Sequence, residues 1–152
     1  MKNINKFFES LAEKHLGHSE LDCHFSDASV FSSRVPRLMH YPCMGIDVVG
    51  FGIVGQIGNE FISVHYILLI LEHVRDTGSF DELQKVFSET YNISLKIIRE
   101  IKDASSDFSS PARFFDFNNT EGTRIEFKDA ALYGYAIGMN FKLPFDYVTC
   151  NL

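Results

Sequence analysis

The residues that could ligate a metal ion are concentrated in the first third of the chain. Five of them form the candidate set: His15, His18, Cys23, His40 and Cys43. Zinc prefers a tetrahedral set of imidazole nitrogens and thiolates, and short paired spacings let two ligands come from one turn. The spacing matches no standard zinc finger, and His15 falls on the apolar face of a predicted helix, as a core histidine would. We expect no cofactor, with a zinc site as the alternative.

Motifs for nucleophilic or metal-dependent hydrolysis and for phosphate binding are missing from the sequence. It contains no G-x-S-x-G, no H-E-x-x-H and no P-loop, so we assign no catalytic residue. Asp47 and His65 lie inside apolar segments, where burial would shift the pKa of each side chain. Together with Tyr133 and Tyr135 they form the predicted pocket of an alternative function, a small enzyme or small-ligand-binding domain.

The charge of the chain is acidic, with 20 Asp and Glu against 14 Lys and Arg and a net charge of −6. This balance argues against nucleic acid and anionic membranes as partners. Charge complementarity accelerates binding to basic proteins. The predicted partner-binding residues are Glu72, Asp76, Asp81, Glu82 and Glu89. The sequence favours a non-enzymatic binding protein, such as a bacterial immunity protein or antitoxin that inhibits a basic toxin nuclease domain.

The cysteine count and the termini indicate the compartment. Three cysteines are an odd number, which is typical of reduced thiols and not of a disulfide framework. The N-terminus lacks the apolar stretch of a secretory signal, and the longest apolar run, residues 66–71, is too short to span a bilayer. We expect a cytoplasmic protein.

A glycine motif at residues 50–55, G-x-G-x-x-G, follows the apolar run 46–49. In dinucleotide-binding domains such a motif closes a strand and opens a helix. That helix would begin at Ile53 and contain Gly58 and Asn59, which are poor helix residues. The motif is better explained as part of a strand whose glycine face is covered by the N-terminal helix or by a second copy of the chain.

Hydrophobic periodicity predicts the elements that position these residues. An amphipathic helix is expected over residues 3–16 with Gly17 as its stop, followed by a hairpin that turns at Gly58-Asn59. Residues 67–74 suit either a longer strand or a helix. A helical hairpin is expected next, with a capping box at Ser79 and Glu82 and a break near Asn92.

The C-terminal third alternates as strands do. We expect strands at 113–117 and 123–127 around a turn at 118–122, and a final strand from residue 132 to 141. The predicted fold class is α+β, as a single domain of residues 1–152. Its mostly antiparallel twisted sheet packs against the N-terminal amphipathic helix and the central helical hairpin.

Overall fold

The computed structural model of the protein describes residues 2–17, 40–56 and 58–144. The described residues form two α-helices and four strands, in the order α1 (Lys2–Leu16), β1 (Cys43–Gln56), β2 (Asn59–His73), α2 (Phe80–Ala104), β3 (Phe115–Phe127) and β4 (Leu132–Pro144). Short 3-10 helices at Pro111–Phe114 and Lys128–Ala130 precede β3 and β4. The strands form one antiparallel sheet in the order β1-β2-β4-β3. The predicted α+β class is confirmed.

The β1–β2 hairpin is confirmed, although Asn59 is the first residue of β2 and not part of the turn, and the second strand is long. Gln56 pairs with Asn59, Gly58 has a φ of +87° in the turn, and β2 continues to His73. Residues 67–74, for which the sequence allowed a strand or a helix, therefore form a strand up to His73. Val74 follows it and is buried against α2.

Helix α1 buries an apolar stripe against the sheet, and Gly17 (φ +77°) ends it as predicted. The ring of Phe8 is fully buried, with its centroid 6.2 Å from those of Tyr66 and Phe141. The N-terminal helix does not cover the glycines of β1, because a Cβ added at Gly50 or Gly52 would meet nothing within 4 Å; the alternative cover, a second copy of the chain, stays a prediction. The helix packs on the central strands, where the large side chains lie.

Helix α2 is one continuous helix of 25 residues, so the predicted helical hairpin with a break near Asn92 is wrong. Asparagine costs a helix interior only about 0.5 kcal/mol. The buried stripe runs through the expected break at helical spacing: Val86, Phe87, Thr90, Ser94, Ile97 and Ile101. Its two hydroxyls are satisfied within the helix, because Thr90 donates to the Val86 carbonyl and Ser94 to the Thr90 carbonyl.

Strand β3 is also a single element, whereas the sequence predicted two short strands around a turn at 118–122. Both halves of β3 pair with β4, from Phe115↔Phe141 to Phe127↔Leu132. The residues between Asp116 and Glu121 are extra and form a bulge. The turn-forming residues in this stretch therefore serve the bulge and not a hairpin.

The two faces of the sheet carry different clusters. On the helix face, the side chains of Tyr66, Leu68 and Ile137 pack with α1 and α2. On the second face, Cys43, Leu69 and Leu71 are buried with their neighbours on β4. Among the described residues, no helix combines the length and the apolar character needed to cross a membrane.

Candidate functional site

The glycine motif lies entirely in β1, so it opens no helix and forms no dinucleotide-binding turn. Gly55 is required by the hairpin: its φ is +119°, and a Cβ there would lie 2.3 Å from the Asn59 carbonyl oxygen. The motif is structural at this position, as the strand interpretation predicted.

The candidate metal ligands are not brought together where the structure describes them. The Nε2 atom of His15 lies 2.6 Å from Oε2 of Glu100. Cys43 is buried beside Leu69 on the second face, and His40 is exposed. His18 and Cys23 lie outside the described residues. Over 2–17, 40–56 and 58–144, no group of three or more His, Cys, Asp or Glu side chains could hold a metal ion.

The four residues of the predicted pocket lie on opposite faces of the sheet, so they do not line one pocket. Tyr133 and Tyr135 face α2, where both rings pack on Phe87 in an edge-to-face arrangement. Asp47 and His65 belong to the second face, since side chains alternate along a strand and these positions pair with Ile67 and Asn140.

A row of polar side chains that the sequence did not predict crosses the second face at His65. The Nδ1 atom of His65 lies 2.9 Å from Oδ1 of Asn140, and Asn140 pairs in register with Asp116 of β3. Hydrogen bonds from Lys142 and Asn119 lower the pKa of the Asp116 carboxyl. The alternation of β4 could have identified Asn140, a polar residue in an apolar strand, but not its pairing with Asp116.

Three of the five predicted partner-binding acids lie around the turn between β2 and α2. The Glu82 carboxylate accepts hydrogen bonds from the backbone N–H groups of Arg75 (2.9 Å) and Asp76 (3.3 Å). The Asp76 carboxylate accepts from the N–H of Gly78, and Asp81 is exposed in the first helical turn. Ser79 caps α2 as predicted, by accepting from the Glu82 N–H, but the Glu82 carboxylate does not complete the predicted capping box, because the Ser79 N–H donates to the Asp76 carbonyl. Glu82 and Asp76 therefore hold the turn, and Asp81 faces solvent.

The other two acids, Glu72 of β2 and Glu89 of α2, line one open cleft of about 390 Å³. Burial raises the pKa of the Glu72 carboxyl, a hydrogen bond from the His73 N–H opposes this, and the charge of Glu89 raises it further. Asn92 and Lys96 also line the cleft. The cleft thus holds two carboxylates, and the charge of Glu89 disfavours the charged form of the Glu72 carboxyl.

A second cavity, about 330 Å³, lies between α2 and the bulge of β3. Its walls are mainly aromatic and aliphatic, with Tyr91, Leu95, Phe117 and Tyr135 among the lining residues. The Oγ1 atom of Thr120 is buried in this wall and has no hydrogen-bond partner. Sequence reasoning missed this groove because the bulge that opens it looked like a turn.

In comparisons with known proteins, no family model, curated protein or solved structure matches this chain significantly.

Proposed function

We propose that this protein is a non-enzymatic binding protein that masks a basic protein, as an immunity protein or antitoxin does. In this proposal the cleft between Glu72 and Glu89 receives a lysine or arginine side chain of the partner. The supporting observations are the burial of Glu72, which raises the pKa of its carboxyl, and the charge of Glu89 in the same cleft, which raises it further. A cation bound beside Glu72 would favour the charged form of its carboxyl and offset the penalty of burying that charge.

The chemistry of the cleft suits a guanidinium or ammonium group. Charge-assisted hydrogen bonds to carboxylates are shorter and stronger than neutral ones, and an arginine could bridge two carboxylates with its fixed fork of donors. The Asn92 amide adds a neutral acceptor on the same wall. The net charge of −6 would speed the approach of a basic partner at low ionic strength.

The test is affinity purification of the tagged full chain from its native cells, followed by cross-linking and mass spectrometry. Three proteins are compared: wild type, Glu72→Gln/Glu89→Gln, and a control of equal charge, Glu13→Gln/Asp103→Asn, whose two side chains are exposed. We expect wild type and control to bind a basic polypeptide at one-to-one stoichiometry. The cleft variant should bind it about tenfold more weakly or worse, which corresponds to a loss of about 1.4 kcal/mol.

Two results would count against this function. Equal binding by the cleft variant and the control would show that net charge, and not the cleft, attracts the partner. A bound polypeptide that is acidic, or cross-links that avoid the cleft, would remove the basis of the proposal.

A second candidate function, binding of a small aromatic ligand, is favoured by one observation: the unpartnered Thr120 hydroxyl in the apolar groove. A planar ring would fit between aromatic walls, and a polar substituent would satisfy the hydroxyl. NMR titration with 2-naphthol tests this. Perturbation of Tyr91 and Tyr135 signals, weaker in Thr120→Val than in Thr123→Val, would support the ligand. Equal titration of both variants would reject it.

A further inference from the structure

The outer part of β1 exposes apolar side chains in an unusual concentration. Phe51 and Ile53 are 79% and 63% exposed, and three valines beside them are 41–54% exposed: Val48, Val49 and Val54. Residues 48–56 include no charged residue and no proline. Apolar residues that are exposed together in one segment mark an interaction site more often than scattered exposed residues do.

Among the described residues, the backbone of β1 is also unpaired on one side along this stretch. β1 is at the edge of the sheet, and within the described ranges its only strand partner is β2. Edge strands are normally protected by lysines, prolines or bulges, because a row of unpaired N–H and C=O groups can pair with another chain. Among these devices, the described strand has one bulge, between Val48 and Gly50, and residues 50–54 extend beyond it.

We infer that this edge binds a second copy of the chain, with the two β1 strands paired antiparallel to form a continuous eight-stranded sheet. The distribution of charge supports a second copy of the chain as the binding partner. The chain carries a net charge of −6, so two copies can approach closely only where the surface is free of charge. Residues 48–56 provide such a surface, and they offer no carboxylate to a basic partner.

The sequence of the edge is also self-complementary. Antiparallel pairing about a two-fold axis at Gly52 would place Phe51 of each copy opposite Ile53 of the other. Aromatic and β-branched residues are favourable cross-strand pairs. On the opposite face of the strand, Gly52 would meet Gly52 of the second copy. A Cβ added at Gly50 or Gly52 meets nothing within 4 Å, so this face leaves room for close approach.

The test is sedimentation equilibrium of the full chain at micromolar concentrations. We expect wild type to have about twice the monomer mass of 17.3 kDa. Phe51→Lys/Ile53→Lys places like charges across the two-fold axis, so its dissociation constant should rise about tenfold or more. The control is Phe108→Lys, since Phe108 is 86% exposed and lies outside the sheet. It should remain dimeric.

Circular dichroism and thermal unfolding would establish that the double variant is folded, since both substituted side chains are mostly exposed. Should that variant unfold, Phe51→Lys alone replaces it in the same measurement. A monomeric wild type would overturn the inference, and so would a dimer that persists in the lysine variants. The inference is independent of the proposed function, because β1 contributes no residue to the cleft. Glu72→Gln/Glu89→Gln should therefore leave the dimer unchanged.

Discussion

The imidazole of His15 and the carboxylate of Glu100 join the two helices: Nε2 of His15 lies 2.6 Å from Oε2 of Glu100. The ammonium of Lys14 lies 2.8 Å from the other carboxylate oxygen. One carboxylate of α2 therefore holds two consecutive side chains at the end of α1. The His15 side chain is only 13% exposed and therefore needs a polar partner. Glu100 is that partner, which explains why a histidine lies on the apolar side of α1.

Replacing Glu100 with glutamine should destabilise the protein in a pH-dependent way. Burial acts to raise the pKa of Glu100, but the hydrogen bonds and charges of Lys14 and His15 outweigh it and lower the pKa below its ordinary value of 4.5. The lowered pKa adds stability above pH 4.5, and that contribution is lost as the pH falls through the folded-state pKa. Urea unfolding at neutral pH should show a loss of about 1 kcal/mol.

The control for this prediction is Glu13→Gln, which removes an exposed carboxylate from α1. It should leave the free energy of unfolding within about 0.5 kcal/mol of wild type. A difference between Glu100→Gln and wild type that stays the same from neutral pH to well below pH 4.5 would contradict the role given to this carboxylate.

Gly134 is required by a close backbone approach between β4 and β2. A Cβ at this position would lie 1.9 Å from the carbonyl oxygen of Ile70, so Gly134→Ala must displace main-chain atoms of a central strand. We expect a loss of about 1–3 kcal/mol or more, measured by urea unfolding. Gly122→Ala is the matched control, since a Cβ there meets nothing within 4 Å. Similar losses in the two variants would show that the close approach at Gly134 does not control the effect.

Glu72→Gln should stabilise the protein at neutral pH. The pKa of Glu72 is raised above its ordinary value of 4.5, chiefly by burial. A raised carboxyl pKa favours the folded state fully below pH 4.5, and this contribution is lost as the pH rises through the folded-state pKa. Glutamine carries no charge and keeps an oxygen for the His73 N–H. The melting temperatures of variant and wild type should therefore diverge as the pH rises; parallel profiles would refute the burial of this charge.

Thr120→Val should make the ligand-free protein more stable by about 1 kcal/mol. The substitution preserves the shape of the side chain and removes a buried hydroxyl oxygen that has no hydrogen-bond partner. Thermal and urea unfolding measure the change, with the exposed Thr123→Val as control. A loss of stability specific to Thr120→Val would instead show that the hydroxyl is satisfied by bound water in solution.

Local signals explain which elements could be predicted from the sequence. The helix α1, the Gly58 turn and the alternation of β4 depend on spacing within a few residues, and each is confirmed. Asn92 misled the prediction because its low helix propensity suggested a break. The cost of asparagine in a helix is small, and the stripe of buried residues continues on both sides of it. The sequence predicted a turn where β3 has a bulge, because asparagine and glycine are common in both.

The sequence by itself determined the α+β class, the amphipathic first helix and the strand nature of the glycine motif, because periodicity and turn chemistry are local properties. The tertiary structure decided the order β1-β2-β4-β3 and with it every candidate surface. Glu72 and Glu89 share a cleft, while His65 and Tyr135 are separated by the sheet, since strand register and helix packing fix these relationships. Such long-range pairings depend on the burial of whole faces, which no short window of sequence specifies.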